Sequence, residues 1–241
     1  MRFVSGTTAN EKKLVLAVQA AVGAVQDNSI GQQTLVDIAC KLNADCFPLS
    51  ISIFHQEVIV ARDITPLEAR EGLVYHPNAI SGSFSYNQKP CSILVKNGEV
   101  VCNTSCHYWI NGTPEAVLYR LKNGAFGIKR CRTTQDLPNN VAWAIGGVGM
   151  LDLYDPAKEG FSGKYADVLR RTNHTFVGTK NGFVFMGYCS NMTGAQVNLY
   201  LKKLGLDRAI MLDGGHVAAI NCAEASVNTA QKQYYVVRAV R

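Results

Sequence analysis

Charged residues and long apolar runs are both scarce in this chain, and each shortage excludes a class of protein. Charged residues are 17% and hydrophobic residues 47% of the 241 positions, a balance typical of a globular protein with a substantial core. No apolar stretch is long enough to span a bilayer, and residues 1–8 lack the apolar segment of a signal peptide. The sequence therefore predicts no membrane span. The predicted location is the cytoplasm, or release by lysis or carriage in a virion.

A concentrated basic tract is also missing. The net charge is +6, but the lysines and arginines are scattered, apart from pairs such as Arg170-Arg171. Nucleic-acid-binding proteins usually concentrate basic residues on one face or interleave them with aromatic residues. We therefore expect no nucleic-acid partner. The mild positive charge favours anionic surfaces or substrates, such as cell-wall polymers and phosphates.

The chain contains no C-x-x-C pair, which argues against a metal centre. Its eight cysteines are spread out, and only Cys102, Cys106 and His107 form a cluster. Zinc needs four ligands at suitable spacing, and no second cluster supplies the rest. Reduced, partly buried thiols are the preferred interpretation, with a metal site and a Cys102–Cys106 disulfide as alternatives. We predict no cofactor, because a divalent cation held by Asp213 has no other visible ligand.

Hydrophobic periodicity divides the chain into two parts. Apolar residues recur at helical spacing over residues 10–42, interrupted by a turn at Asp27-Asn28-Ser29. This pattern predicts a small helical hairpin domain over residues 1–47. Strand patterns begin after a linker and predict a larger domain over residues 50–241. The expected fold class is α+β (mixed α/β), with a mixed β-sheet domain flanked by helices.

Two helices are predicted within the larger domain. Thr193 and Gln196 form a capping-box pattern before a helix over residues 194–204, and Gly205 is placed to end it. Thr113 as N-cap, followed by Pro114, predicts another helix over residues 113–121.

Turn signals and apolar alternation predict the strands. Asn97-Gly98 and Lys180-Asn181-Gly182 are hairpin signals. The predicted strands cover residues 50–60, 92–95, 100–102, 141–145, 175–179, 183–188, 209–212 and 234–240.

The most informative string is Ile210-Met211-Leu212-Asp213-Gly214-Gly215-His216. A buried strand delivers one carboxylate to its exposed end, and the two glycines let the backbone turn sharply and approach a ligand closely. An aspartate that only caps the N–H groups of a turn is the alternative interpretation.

Four segments together resemble the phosphodiester glycosidase family. They are Ala79-Ile80-Ser81-Gly82-Ser83-Phe84 with the hairpin after it, Ala144-Ile145-Gly146-Gly147-Val148-Gly149-Met150-Leu151, Asn173-His174-Thr175-Phe176-Val177-Gly178, and the string that contains Asp213. Three positions depart from the family pattern: Ser81 replaces an asparagine, His174 replaces an arginine, and His216-Val217 replaces a Gly-Ser pair.

The resemblance implies a hydrolase that cleaves a glycosyl phosphodiester, which is a sugar-1-phosphate linkage. Such a reaction needs a stabilised oxocarbenium-like charge, an activated water and a partner for the phosphate. Asp213 is the candidate general base or oxocarbenium stabiliser. His174 is the candidate for phosphate contact or proton transfer, and His216 for orienting Asp213 or acting beside it. A hydrogen-bonded strand histidine and a simple turn residue are the respective alternatives.

Substrate contacts are predicted where hydroxyl and backbone N–H donors follow turns. The predicted contacts are Ser81, Gly82, Ser83, Gly146, Gly147, Gly214 and Gly215. Glycine runs also serve as tight packing sites, which is the alternative for Gly146 and Gly147. His76 is a candidate for the rim, and Asp152 and Asp155 are weaker candidates for a second carboxylate.

The N-terminal segment resembles a peptidoglycan-binding helical repeat found beside bacterial and phage cell-wall hydrolases. The matching residues are Val18-Gln19-Ala20-Ala21-Val22-Gly23 and Asp27-Asn28-Ser29-Ile30-Gly31-Gln32-Gln33-Thr34. This resemblance implies attachment to a bacterial wall and a phage-like lysis or virion role. A plain helical hairpin is the alternative. For the whole protein, the alternatives are a non-catalytic module that binds a glycan or phosphate ligand, and a structural virion component.

Overall fold

The computed structural model describes most of the larger predicted domain and part of the N-terminal segment. The described residues are 4–5, 8–24, 26–30, 34, 49–53, 56–68, 76–87, 89–106, 112–222, 226–227 and 234–240. Nearly all of the second helix of the predicted hairpin, the linker to residue 48 and His107 lie outside them. The proposed division into domains at residues 47–50 therefore stays a prediction.

Strands dominate the described residues. In chain order they are β1 (Val4–Ser5), β2 (Ser29–Ile30), β3 (Leu49–Ile53), β4 (Gln56–Ala61), β5 (Asp63–Glu68), β6 (Ala79–Ser81), β7 (Ser85–Tyr86), β8 (Lys89–Pro90), β9 (Leu94–Lys96), β10 (Glu99–Cys102), β11 (Glu115–Leu121), β12 (Phe126–Cys131), β13 (Val141–Gly149), β14 (Thr172–Lys180), β15 (Phe183–Met192), β16 (Arg208–Gly214), β17 (Ile220–Asn221), β18 (Ser226–Val227) and β19 (Tyr235–Val240). Over the same described ranges, the α-helices are α1 (Ala9–Val22) and α2 (Gly194–Lys203), and short 3₁₀ helices cover Thr134–Asp136, Leu151–Leu153, Gly163–Leu169 and Gly215–Val217.

Two sheets form the body of the larger part. A ten-stranded sheet has the main order β10-β9-β13-β16-β14-β15-β4-β3, with β11 paired to β13 and β12 paired to β11. A five-stranded sheet has the order β18-β17-β6-β19-β5. Their strand pairings are antiparallel. The α+β class is confirmed, and the sheet is antiparallel rather than mixed in strand direction.

The larger sheet is covered on both faces, which explains the unbroken apolar run in β16. Ile210 and Leu212 belong to a core cluster that also contains residues of the five-stranded sheet, such as Ile80 and Val237. Met211 lies in the opposite cluster, with side chains of α2. A strand buried on both faces needs apolar residues at consecutive positions, so β16 is apolar from Ala209 to Leu212.

Helix α2 forms as its sequence predicts. Thr193 accepts a hydrogen bond from the Gln196 N–H, and the Gln196 side chain caps the Thr193 N–H in return. Gly205 follows in the left-handed conformation, with a φ of +66°. Val197 and Leu201 are fully buried against the ten-stranded sheet.

The predicted helix over residues 113–121 is wrong, because Glu115–Leu121 forms strand β11. Thr113 and Pro114 are good helix starters, but β11 pairs with β12 on one side and β13 on the other. Hydrogen bonds to two neighbouring strands outweigh a local preference worth less than about 1 kcal/mol per residue. The turn at Lys122-Asn123-Gly124, with a φ of +92° at Gly124, was the missed hairpin signal.

The N-terminal segment begins with the expected helix. Helix α1 starts in a capping box between Thr8 and Glu11 and ends at Gly23, which has a φ of +74°. The buried Gln19 amide donates to Asp27 Oδ1 at 2.7 Å, and Asn28 has a φ of +60°, so the predicted turn is confirmed. None of the helices in the described ranges is long and apolar enough to cross a membrane.

Candidate functional site

A cavity of about 780 Å³ opens where strand β16 ends. It is bounded by the hairpin region around β7, the segment between Phe161 and Thr172, and the turn after Asp213. Its lining residues are Phe84, Ser85, Tyr86, Cys91, Cys106, Phe161, Tyr165, Asp167, Val168, Arg170, Thr172, Asp213, Gly214, Gly215, His216 and Val217. The predicted Asp-Gly-Gly-His string therefore forms one wall of the cavity.

Asp213 is the partly buried carboxylate of this cavity. Its Oδ1 accepts a hydrogen bond from the Gly214 N–H at 2.8 Å, and its carbonyl accepts one from Thr175 Oγ1 at 3.2 Å. Burial is the main cause that raises the pKa of Asp213 to about 6; the Gly214 N–H opposes the shift, and the negative charge of Asp167 adds to it. A carboxyl with this pKa changes its charge near neutral pH, which suits a general base.

The two glycines after Asp213 permit a close approach of neighbouring chain. A Cβ on Gly214 would lie 2.8 Å from the Asn173 carbonyl oxygen, too near for a real contact. Gly215 has a φ of +68°, and a Cβ there would lie 3.2 Å from Arg170 Nη2. The glycines therefore let the segment that carries Arg170 pack directly against the turn.

Arg170 is the cation of the cavity wall and was not among the predicted site residues. Its Nη1 donates to the Asp167 carboxylate at 2.7 Å and to the Asp167 carbonyl at 2.8 Å. The Arg170 side chain is 49% exposed, so the ion pair is weak and leaves the guanidinium accessible. The available sequence signal was the basic pair Arg170-Arg171, shortly before the position where the family carries arginine.

His174 lies outside the cavity, so one of the three predicted catalytic residues does not join the others. It is fully buried, and its Nε2 donates to the carbonyl of Met192 at 2.8 Å and that of Arg170 at 3.2 Å. Burial lowers its pKa, which favours the neutral ring. In this structure His174 is a hydrogen-bonded strand histidine, which matches the alternative interpretation, and its role in catalysis stays a prediction. His216 is exposed and lines the cavity beside Asp213.

Ser81, Gly82 and Ser83 are predicted substrate contacts that are not among the residues lining the cavity. Ser81 is buried, and its hydroxyl donates to the Val217 carbonyl at 2.5 Å and accepts from the Ala219 N–H at 2.6 Å. Ser83 donates to the Gly146 carbonyl, and the Gly82 N–H donates to the Tyr235 carbonyl at 3.0 Å. Ser81 therefore anchors the chain just after the Asp-Gly-Gly-His turn.

Gly146 and Gly147 also lie away from the cavity, because they belong to strand β13 and not to a turn. The Gly146 N–H donates to the Ile93 carbonyl at 2.8 Å. A Cβ on Gly146 would lie 2.2 Å from Glu115 Oε1, and one on Gly147 would lie 2.5 Å from the Met211 carbonyl oxygen. These glycines are tight packing sites, as the alternative interpretation holds.

The weaker sequence candidates also fall outside the lining. Asp152 is an exposed residue of a 3₁₀ helix, and Asp155 accepts a hydrogen bond from the Lys158 N–H. The His76 carbonyl accepts from Asn221 Nδ2 at 3.3 Å. Within the described residues, no three His, Cys, Asp or Glu side chains are arranged to hold a metal ion.

The cavity wall also contains aromatic side chains and two thiols that are not among the predicted site residues. Phe84 and Phe161 pack with ring centroids 5.4 Å apart, and Tyr86 is 73% exposed at the rim. Phe84 ends one of the segments that resemble the family, but nothing in its spacing indicates a cavity. Cys91 and Cys106 come from separate loops, so their spacing in the sequence does not indicate that they are in contact.

A family model described as phosphodiester glycosidase matches residues 72–240. The chain belongs to the phosphodiester glycosidase family. The match spans every residue of the cavity wall, so the predicted resemblance of the larger domain is confirmed. The matched range does not include the N-terminal helical segment. The resemblance of that segment to a wall-binding repeat is not confirmed. No protein with a curated description matches the chain.

Solved structures can also be aligned with this chain. The catalytic domain of the zebrafish N-acetylglucosamine-1-phosphodiester alpha-N-acetylglucosaminidase, auto-inhibited by its pro-peptide, aligns with a TM-score of 0.56 at 16% identity. That alignment covers 81% of this chain and 82% of the zebrafish chain. A hypothetical protein from Synechocystis aligns with a TM-score of 0.49 at 11% identity, over 79% of this chain and 61% of that one.

Proposed function

We propose that this phosphodiester glycosidase family member hydrolyses a glycosyl phosphodiester in the cavity at the end of β16. The observation that carries the proposal is one cavity that holds both the partly buried Asp213 carboxyl and the accessible Arg170 guanidinium. A sugar-1-phosphodiester has an anomeric carbon that becomes positive in the transition state and a phosphate that stays negative. The carboxylate suits the first group and the guanidinium suits the second.

The proposed reaction breaks the bond between the anomeric carbon and the phosphate oxygen. Asp213 accepts a proton from the attacking water, whose oxygen bonds to the anomeric carbon. The phosphate oxygen leaves with the bonding electrons, and because phosphate is a good leaving group, little help from a general acid is needed. Arg170 stabilises the departing charge, and His216 orients Asp213 or the water.

The cavity wall also supports a sugar ligand. Phe84, Phe161 and Tyr86 present aromatic surface beside Asp213. The apolar faces of sugar rings pack well on aromatic rings, while Asp213 and the Gly214 and Gly215 backbone provide polar contacts. We propose that the sugar lies against these rings with its phosphate directed to Arg170.

Replacement of Asp213 tests the proposed catalytic role. Asp213→Asn is expected to lower kcat for a sugar-1-phosphodiester by at least about 100-fold, with no loss of thermal stability. In the wild type, kcat/KM is expected to rise with pH through about 6, because Asp213 acts only when ionised. Asp152→Asn is the matched control and is expected to retain activity. Unchanged turnover in Asp213→Asn contradicts the assignment.

Replacement of Arg170 tests the phosphate contact. Arg170→Ala is expected to lower kcat/KM for the phosphodiester by roughly 10- to 100-fold, as expected for a charged hydrogen bond of about 1.5 to 3 kcal/mol. The same variant should show a much smaller decrease in kcat/KM for an uncharged aryl glycoside of the same sugar. Arg171→Ala is the matched control, because Arg171 donates to the Asn191 carbonyl and does not line the cavity. Equal losses on both substrates would show that Arg170 does not contact phosphate.

We further propose a cell-envelope glycan as the substrate, with the N-terminal helical segment attaching the protein to a bacterial wall. The net charge of +6 and the helix–turn pattern around Gln19 support this idea. Co-sedimentation of the full chain with purified peptidoglycan tests it, and a chain that stays in the supernatant contradicts it. We propose that no cofactor is needed, so a chelator should leave the rate unchanged. The proposed location remains the cytoplasm, or lysis- or virion-associated release.

A non-catalytic binding module is the second candidate function. The observation that favours it is that Ser81 and His174, at two positions where the family carries asparagine and arginine, make internal hydrogen bonds instead. Calorimetry with wall fragments beside the phosphodiesterase assay separates the two functions. Binding without turnover supports the module, and product formation rejects it.

A further inference from the structure

Two thiols from separate loops meet in the wall of the cavity. Cys91 follows strand β8, and Cys106 follows strand β10, yet their sulfur atoms lie 3.9 Å apart. Both line the cavity together with Asp213. Both cysteines are therefore next to any small molecule that enters the cavity.

The backbone holds the two cysteines in place while their side chains face each other. The Cys91 N–H donates to the Phe84 carbonyl at 3.0 Å, and the Cys106 N–H donates to the buried Glu115 carboxyl at 3.1 Å. Cys102, the other member of the sequence cluster, directs its thiol to the Thr104 carbonyl at 3.8 Å. Among the described cysteines, the Cys106 sulfur therefore contacts the sulfur of Cys91 and not that of Cys102.

The pKa values of the two thiols shift in opposite directions, which makes Cys91 the attacking thiol and Cys106 the resolving thiol. Either sulfur can donate in this contact; with Cys106 as the donor, the hydrogen bond lowers the pKa of Cys91 and raises that of Cys106. A thiol with a lowered pKa is more often a thiolate, and the thiolate is the form that attacks disulfides. Burial of both thiols and the charge of Asp213 oppose ionisation.

We propose that Cys91 and Cys106 form a redox pair in the cavity wall, which closes to an intramolecular disulfide by exchange with a small disulfide such as oxidised glutathione and thereby changes the substrate cavity. The proposal stands on the contact between the two sulfurs and on their shared access from the cavity. It is independent of which reaction the cavity catalyses.

The exchange balances in two steps. The Cys91 thiolate attacks one sulfur of oxidised glutathione, which forms a mixed disulfide and releases one glutathione thiolate. Cys106 then loses its proton to solvent base and attacks the Cys91 sulfur, which releases the second glutathione thiolate. Two protein thiols are oxidised to one disulfide, and one glutathione disulfide is reduced to two thiols.

Closure of the pair moves part of the cavity wall. The two sulfurs have to approach before they bond, and Cys91 is hydrogen-bonded to Phe84, which packs on Phe161. The disulfide therefore ties the aromatic wall to the loop that carries Cys106. We expect the oxidised protein to bind its substrate less tightly than the reduced protein.

Disulfide mapping tests the pair without any assay of activity. The full chain is reduced, incubated with oxidised glutathione at pH 8, alkylated and digested, and the linked peptides are identified by mass spectrometry. The expected product links Cys91 to Cys106. Cys91→Ser and Cys106→Ser should each abolish it, whereas Cys102→Ser should keep it. A Cys102–Cys106 link, or glutathione left on a single cysteine as the end product, overturns the proposal.

A rate measurement tests the effect on the cavity. If the reduced protein hydrolyses a sugar-1-phosphodiester, oxidation is expected to raise KM at least about threefold, and dithiothreitol should restore the original value. An unchanged KM in a fully crosslinked sample overturns the effect on the cavity. If the reduced protein has no activity, the proposed function fails, while the mapped disulfide and the binding of a sugar phosphate followed by calorimetry still decide this inference.

Discussion

At the scale of single residues, Ser81 shows how a predicted substrate contact becomes a structural anchor. Its hydroxyl bonds to the Val217 carbonyl and the Ala219 N–H, on the chain that follows the Asp213 turn. Both partners are more than 130 positions away in the sequence. The local pattern Ser-Gly-Ser therefore indicated a polar site but could not indicate what it contacts.

Replacement of Ser81 separates anchoring from substrate contact. Ser81→Ala leaves the buried Ala219 N–H without its acceptor, which is expected to lower the free energy of unfolding by about 1 to 3 kcal/mol. Chemical denaturation measures this loss. Ser85→Ala, at an exposed position, is the control and is expected to change stability by less than about 0.5 kcal/mol. Wild-type stability in Ser81→Ala would argue against the anchor.

Arg170 and Asp213 differ in how far the sequence reveals them. Asp213 ends a run of buried residues and precedes two glycines, so its position at the end of a buried strand follows from local chemistry. Arg170 follows the 3₁₀ helix Gly163–Leu169, where no hydrophobic periodicity marks the segment. Its guanidinium packs close to Gly215 at the cavity wall, a contact between segments that no local pattern indicates.

At the scale of elements, strand β13 explains why the chain needs its glycine run. The carboxyl of Glu115 accepts hydrogen bonds from Ser92 Oγ and the Ile93 N–H, both at 2.6 Å, directly beside Gly146. The Glu159 carboxyl accepts from the Gly149 N–H at 2.8 Å. The glycines of β13 thus leave room for two buried carboxyl groups.

Gly146→Ala tests the packing role of β13. The added methyl overlaps Glu115 Oε1 and Ser92 Oγ, so the free energy of unfolding is expected to fall by about 1 to 3 kcal/mol. In a Glu115→Ala background the same change should cost less, because one of the two clashes is gone. Denaturation of the four proteins in this cycle measures the coupling. Additive losses would contradict the predicted contact.

Strand prediction succeeded where local signals and pairing agree. The Asn97-Gly98 and Asn181-Gly182 turns have positive φ values at all four residues, as their hairpins require. The prediction for the residues of strand β11 was wrong because Thr113 and Pro114 favour a helix locally. The hydrogen bonds that decide the structure there come from β12 and β13.

At the scale of the whole molecule, burial of carboxyl groups couples folding to pH. Burial raises the pKa of Glu115 to about 8 and that of Glu159 to about 7, well above the ordinary value near 4.3 for glutamate. Glu159 keeps an ion pair with Arg130 at 3.0 Å. The folded protein therefore binds more protons than the unfolded chain between about pH 4.5 and 8. Its free energy of unfolding decreases as the pH rises through this range, because the protonated carboxyls lose their protons.

Stability is accordingly expected to fall as the pH rises from 6.5 to 8. Protons leave Glu115 and Glu159 of the folded protein in this window, while both are already ionised in the unfolded chain. The expected loss is about 1 to 2 kcal/mol. The pKa of His174 is lowered, so this residue reduces the free energy of unfolding mainly below about pH 6.5, where the unfolded chain binds a proton more readily than the folded protein.

Denaturant titrations at several pH values, under reducing conditions, measure this slope. Glu115→Gln removes one of the two groups and should flatten it. A free energy of unfolding that rises over the same interval would contradict the raised carboxyl pKa values.

The sequence by itself determined the strand-rich larger part, the capped helix α2 and the place of Asp213 at the end of a buried strand. These features follow from apolar runs, glycine turns and capping residues within about ten positions of one another. The tertiary structure decided that Ser81 and His174 turn to internal partners, that Gly146 packs on a carboxyl, and that Arg170, Cys91 and Cys106 join Asp213. Those contacts join distant segments, and they depend on strand pairing and sheet packing that no local pattern encodes.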